Sequence, residues 1–277
     1  MMAGQAKPRR TLRFCAVTAI AAAINAPVIF MVMNAFQTTE DINASHDLIP
    51  AHPTLANFVF LLARTVYVTF FLNSGLVALA STVLTLIAAG LAGYALSRWK
   101  GRLLAGYARV LLMVQMFPII MALIPLFIIF RKLGLINHPA SVIIVYTAVH
   151  LPFATWMFRS FFDSIPRELD EAALVDGCSR LQAFRRVVLP LAGPGTAAVA
   201  IFSFLLSYNE FFIASVFLRD EGMMTVPVGV QMFMQQYATD WGSLMAAATV
   251  TMVPTFLMFL FVQKYVAYGG VEGGVKG

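Results

Sequence analysis

The chain has 277 residues, of which 60% are hydrophobic and only 12% charged. That excludes a soluble domain of ordinary composition, where about a quarter of residues carry charge. The net charge of +6 comes from basic residues scattered over several loops without a continuous stripe, which argues against a nucleic-acid surface, and two cysteines, Cys15 and Cys178, make no disulfide framework.

Stretches of about 20 mainly apolar residues, enough to cross a hydrocarbon core of roughly 30 Å, recur six times, at about 14–36, 65–96, 110–130, 139–158, 191–212 and 242–263. The expected fold class is therefore all-α, a polytopic membrane protein with six transmembrane helices. The first stretch follows Lys7, Arg9, Arg10 and Arg13 but is too long for a signal-peptide core, so it is expected to stay as a span. Six spans place both termini on one side. Arg98, Lys100 and Arg102, and then Arg159, Arg167, Arg180, Arg185 and Arg186, fall on that side and mark it as cytoplasmic.

Span one contains Pro27, which predicts a kink, and residues 37–64 read as an external loop. Its His46 and His52 lack the spacing and accompanying ligands of a metal site, so no metal is expected. In span two, Asn73, Ser74, Gly90, Ala92 and Gly93 are better read as helix-packing residues than as substrate contacts. Gln115, Pro118 and Pro125 predict a bent span three that can wall a pathway. His150 in span four is expected to be neutral and bonded to a nearby carbonyl. Glu210 would lie roughly 22 Å along a helix starting near Gly195, at about 1.5 Å per residue; it fits a water-filled vestibule or a packing acid equally well. Asn209, Glu210 and Gln115 are the weak candidates for a substrate pathway. Residues 218–241 form a second external segment, which could contact a partner.

Residues 168–190 are the one long polar stretch. Pro166 suits a helix start and Gly177 a helix stop. Ser179 with Gln182 three residues on predicts a capping box opening a second short helix that ends before Pro190. Leu169, Ala172 and Ala173 are expected on one face of the first helix, and Leu181, Phe184 and Val188 on one face of the second. Glu168, Asp170, Glu171, Asp176, Arg185 and Arg186 should keep this helix-turn-helix out of lipid. Periodicity alone fits a docking knob or an amphipathic linker lying on the membrane.

The chain carries no paired carboxylates, His-Glu-x-x-His or nucleophile elbow in its spans, so no catalytic residue is assigned. Its glycine-rich end is not a phosphate loop, because Gly277 follows Lys276 where Ser or Thr is needed. If ATP powers the protein, another subunit must bind it.

The spelling Glu171-Ala172-Ala173, then Gly177, Val187 and Leu189-Pro190, resembles the EAA loop of permease subunits of binding-protein-dependent ABC importers. The similarity extends to the maltose-type, MalG-like sugar branch through Asn73-Ser74, Ala92-Gly93-Tyr94-Ala95 with Arg98, Pro152-Phe153 with Trp156, Asn209-Glu210-Phe211, Asp240-Trp241-Gly242 and Val275-Lys276-Gly277. Tyr208 and Tyr268 depart from it, standing where that branch often has tryptophan and lysine. The resemblance implies the type I importer permease (MetI-like) fold in the cytoplasmic membrane of a bacterium or archaeon. It implies an N-terminal region at 1–64, a permease core at 65–265 with the coupling loop at 162–190, and a glycine-rich cytoplasmic tail at 266–277.

The resemblance further implies a second homologous permease, a cytoplasmic ATPase dimer that uses ATP and Mg, and an extracytoplasmic binding protein that delivers a sugar; this chain itself is expected to bind no cofactor. Glu168, Glu171, Ala172, Ala173, Asp176, Gly177, Phe184 and Pro190 match the ATPase-coupling element, and Gly273, Val275, Lys276 and Gly277 the tail that reaches the ATPase. The rival readings are an ion-coupled secondary transporter, for which only His150 and Glu210 offer membrane-buried ionisable groups, and a membrane-embedded enzyme. Both leave the polar knob unexplained.

Overall fold

The computed structural model describes residues 6–44, 49–234 and 239–273. Among these, every regular element is helical apart from one isolated bridge between Met234 and Thr239. In chain order they are α1 (Ala6–Asn34), α2 (Thr39–Ala44), α3 (Ala56–Arg64), α4 (Tyr67–Arg98), α5 (Arg102–Met116), α6 (Ile119–Lys132), α7 (Pro139–Asp163), α8 (Glu168–Val175), α9 (Arg180–Ala183), a π-helical turn (Phe184–Val188), α10 (Leu189–Leu191), α11 (Gly193–Tyr208), α12 (Phe212–Phe217), α13 (Val226–Gly229) and α14 (Trp241–Gly273).

Among the described residues, four helices are long and apolar enough to cross a membrane, and two bent pairs bring the number to six if each pair counts as one span. The pairs are where the expected spans differ most from the structure. Residues 110–130 are not one bent helix but belong to α5 and α6, which meet at 101°. Pro118 disfavours helical backbone at the residue before it, and Phe117 is accordingly extended at ψ 126°. The second break, 82°, falls between the helical stretch ending at Leu191 and α11. The external segment 37–64 is also more structured than expected, holding α2 and α3.

The chain divides into two compact units. One comprises Met1–Tyr67 and Val230–Met252. Here Asn57 donates to the carbonyls of Ala35 (3.0 Å) and Gln37 (2.7 Å), tying α3 to the end of α1. Gly242 has no room for a side chain, since a Cβ would lie 2.7 Å from the Asn57 Oδ1. Asp240 caps α14 by accepting from the Ser243 N–H (3.0 Å) and also accepts from the Thr39 hydroxyl (2.8 Å). Burial pushes the Asp240 carboxyl upward, but these hydrogen bonds outweigh it and hold it below its ordinary value of 3.8. The buried Tyr67 hydroxyl donates to the Ala247 carbonyl at 2.8 Å.

The second unit comprises Val68–Gly229 and Val253–Gly277. One of its cores gathers Val77, Val142, Tyr146, Ile213 and Phe217 around α12. Another gathers Ala89, Phe158, Phe162, Phe184, Val188 and Val199. The small-residue reading of α4 holds at Gly93, where a Cβ would stand 2.8 Å from the Phe158 Cβ and 3.0 Å from the Thr155 carbonyl. That brings α4 and α7 into backbone contact, as helices pack where water is absent. Asn73 and Ser74 are structural too: Asn73 donates to the Gly222 and Met224 carbonyls (both 3.0 Å), and the Ser74 hydroxyl accepts from the Val226 N–H (2.7 Å).

Candidate functional site

The polar stretch folds as the spacing predicts at its punctuation. α8 ends in a Schellman motif: the Cys178 N–H reaches the Ala173 carbonyl (3.0 Å) and the Gly177 N–H the Leu174 carbonyl (3.1 Å). That closure needs a left-handed residue, and Gly177 supplies it at φ +85°. The capping box is present, with the Ser179 N–H on the Gln182 Oε1 (2.7 Å) and the Gln182 N–H on the Ser179 hydroxyl (3.4 Å). Pro190 does not end the helix. The π turn carries the chain into α10, whose first turn tolerates a residue without an N–H.

The faces differ from the expected ones. Ala173 is buried while Leu169 and Ala172 are exposed, and Phe184 and Val188 are buried with Ala183 while Leu181 is exposed. Asp170 accounts for the shift on α8. Instead of solvating the knob it points inward, accepting from the Tyr94 hydroxyl (2.5 Å) and from the Arg98 Nε (2.8 Å). Arg98 donates its remaining groups to the carbonyls of Phe162 (2.9 Å) and Ile165 (3.1 Å) and to the Ser97 hydroxyl (3.1 Å). Both side chains of the ion pair are nearly sealed, at 6% and 11% exposure. A carboxylate turned inward at position 170 carries Ala173, three residues on, inward with it, and leaves Leu169 and Ala172 outside.

The end of α4 therefore grips α8 by a charge-assisted clamp. Arg167 adds a second tie from the knob to the Ser97 carbonyl (2.7 Å). Beneath it, Tyr94 stacks obliquely on Phe184 (centroids 4.8 Å) and meets Phe162 edge-on (5.9 Å). A cleft of about 170 Å³ opens at the clamp, lined by Trp99, Glu171, Leu174 and Arg180 among others.

Of the residues assigned to coupling, Glu168, Glu171, Ala172, Asp176, Gly177 and Pro190 are exposed, and Ala173 and Phe184 form the knob's interior. The outer surface thus carries exposed acids (Glu168, Glu171, Asp176) and exposed bases (Arg180, Arg185, Arg186) in equal number, with Val175 at its tip 87% exposed. Such a surface can enter a groove and transmit a push. Tyr94, Arg98 and Asp170 are the residues that sequence reasoning undervalued. Part of their signal was present: Tyr94 and Arg98 stand four apart on one face of a helix end, but three acids, Glu168, Asp170 and Glu171, offered themselves as the partner.

The pathway candidates do not converge. Gln115 is exposed near the end of α5, and Asn209 is exposed and donates to the Leu205 carbonyl (2.9 Å). Glu210 is not on a helix as expected, because α11 stops at Tyr208. Its carboxylate caps α12, accepting from the N–H groups of Ile213 (2.9 Å) and Ala214 (3.1 Å) and from the Tyr146 hydroxyl (2.8 Å). His150 pairs with the Ser207 hydroxyl (3.4 Å) instead of a carbonyl, and Ser207 in turn accepts from Ser81 (2.8 Å). Of the tail residues, Gly273 ends α14, while Val275, Lys276 and Gly277 lie outside the described residues.

Comparison with known proteins agrees with this architecture. The chain is 35% identical to the sulfoquinovosyl glycerol transport system permease protein of Agrobacterium fabrum, over 97% of this chain and 94% of that one. It is also 35% identical to the trehalose/maltose transport system permease protein of Thermococcus litoralis, over 91% of each, and 34% to the arabinooligosaccharides transport system permease protein of Halalkalibacterium halodurans, again over 91% of each. In fold it matches a chain of a bacterial ABC transporter involved in the import of alginate, with a TM-score of 0.80 at 20% identity, covering 96% of this chain and 99% of that one. Residues 81–268 hold the clamped knob and both bent pairs, α5–α6 and the stretch ending at Leu191 with α11, and over that range the chain belongs to the family of binding-protein-dependent transport system inner membrane components, the permeases of ABC importers.

Proposed function

We propose that this chain is one of two permease subunits of an ATP-driven carbohydrate importer, that it carries a di- or oligosaccharide, and that the knob at 168–190 docks into a cytoplasmic ATPase. The observation that carries the coupling role is the clamp: a sealed ion pair fixes an otherwise exposed, charged knob to the end of α4, as a part that transmits force would need. Names of the relatives favour the carbohydrate class, since they include permeases for sulfoquinovosyl glycerol, trehalose/maltose and arabinooligosaccharides.

On this reading the termini and the knob are cytoplasmic, following the basic loops. A separate ATPase dimer uses ATP and Mg, an external binding protein delivers the sugar, and this subunit makes and breaks no bond. Nucleotide closure biases two arrangements of the spans through the knob. Gly273, Val275, Lys276 and Gly277 are assigned to a second contact with the ATPase, and Gln115, Asn209 and Glu210 remain weak pathway candidates.

The test is affinity purification of the tagged chain from its own membranes in mild detergent, with mass spectrometry of what accompanies it and sugar uptake in the same cells. An ATPase and a second permease should co-purify, and uptake should stop on ATP depletion. Recovery of the chain alone, with uptake sustained by an ion gradient, would overturn the proposal.

A further inference from the structure

A second cavity, of about 390 Å³, lies on the other side of Trp99, between the end of α4, α5 and α7. Its rim is cationic: Lys100, Arg109 and Arg159 line it, and no carboxylate does. Asp163 engages Arg159 at 3.5 Å, so three cations less one partner leave a net charge of +2 at the site. Its floor is apolar. Leu104, Ala105, Ala108 and Leu112 line it from one face of α5, at the three- and four-residue spacing of a helix stripe, and Leu96 adds to them. Two tryptophans frame it, Trp99 and Trp156, with the Arg159 guanidinium 5.0 Å above the Trp156 ring. The indole N–H of Trp156 is buried without a hydrogen-bond partner among the described residues.

A cationic rim over an apolar stripe, at the end of membrane spans and between tryptophans, fits an amphiphile with a negative head. Basic pockets between spans recognise anionic headgroups, and tryptophan sits preferentially at the headgroup level. A soluble phosphate would use the rim and leave the stripe uncovered. We propose that this cavity binds an anionic glycerophospholipid, its phosphate held by Lys100, Arg109 and Arg159 and an acyl chain laid along the α5 stripe. Trp99 also packs edge-on against Tyr94 (5.4 Å) and lies under the Arg180 guanidinium (5.4 Å), so the bound lipid abuts the ring that buttresses the clamp.

The experiment is native mass spectrometry of the purified complex containing this chain. It is titrated with phosphatidylglycerol, with phosphatidylcholine of the same acyl chains, and with sn-glycerol 3-phosphate. The wild type should bind phosphatidylglycerol at least tenfold more tightly than phosphatidylcholine. At about fivefold per cation removed near a membrane surface, K100Q/R109Q should weaken phosphatidylglycerol about 25-fold, while the control R131Q/K132Q, outside the cavity, should not. Equal binding of the two lipids by the wild type overturns the proposal without recourse to any variant. Retention of phosphatidylglycerol within twofold by an assembled K100Q/R109Q complex overturns it too. Competition by sn-glycerol 3-phosphate as effective as that of the lipid would assign the cavity to a soluble phosphate instead.

Discussion

Replacing Asp170 by alanine should release the knob without unfolding the bundle. The substitution strands Arg98, whose side chain is only 6% exposed, and removing one partner of a buried pair costs about 3–5 kcal/mol. The lower end applies here, because the Phe162 and Ile165 carbonyls still accept from the guanidinium. A loss of about 3 kcal/mol corresponds to a little over two decades in the local opening equilibrium. Hydrogen–deuterium exchange in lipid nanodiscs reads this directly: amides of 168–183 should lose about a hundredfold protection, while those of α7 keep theirs. Uptake should fall with the chain still inserted. The apolar pair R98M/D170L should recover most of the protection, since a buried ion pair is often replaceable by packed side chains, and protection in Asp170→Ala within threefold of wild type would refute the clamp.

Gly177→Pro should abolish uptake at normal insertion, because proline cannot take φ +85°; Gly177→Ala should cost only about 1–2 kcal/mol in exchange protection of the knob. Glu171→Lys, at an exposed position, should abolish uptake and leave exchange unchanged, which separates surface recognition from folding. Gly93→Leu should destabilise the permease core by roughly 1–3 kcal/mol or more, read as a lower melting temperature in detergent, because the facing atoms include the Thr155 carbonyl and the Arg159 backbone nitrogen. The Asp240 carboxyl is depressed from its ordinary 3.8, so its contribution is fully present above that value and disappears as pH falls through the lower folded one. Protection of the first turn of α14 should drop with acid below about pH 4, and Asp240→Asn should remove that dependence.

Membrane class and span number were legible because hydropathy integrates over about 20 residues. The turn at Gly177 and the box at Ser179 were legible because their chemistry is local. What escaped was set by partners distant in sequence. Asp170 looked like one solvating charge among six until Arg98 and Tyr94, more than seventy positions earlier, arrived beside it. Glu210 looked helical because apolar residues surround it, and its role emerged only where α11 stopped and α12 needed a cap. The break at Pro118 was expected as a bend, but its size of 101° depends on what packs on either side, and the break of 82° before α11 was not expected at all. The exposed and buried faces of α8 were misassigned at Leu169 and Ala172 because an inward carboxylate outranks apolar periodicity when a cation meets it.

Site-specific cross-linking tests the coupling claim most directly. With Cys15 and Cys178 changed to serine, single cysteines are placed at Ala172, exposed on the knob, and at Ala173, buried beneath it, and each is treated with a short bifunctional reagent in native membranes. A cross-link from position 172 to a cytoplasmic ATPase, absent at 173 and altered by ATP, is the predicted result. A cysteine at 172 that reacts only with lipid-borne reagents, and never with an ATPase, would contradict the account and leave the knob as a surface-lying linker.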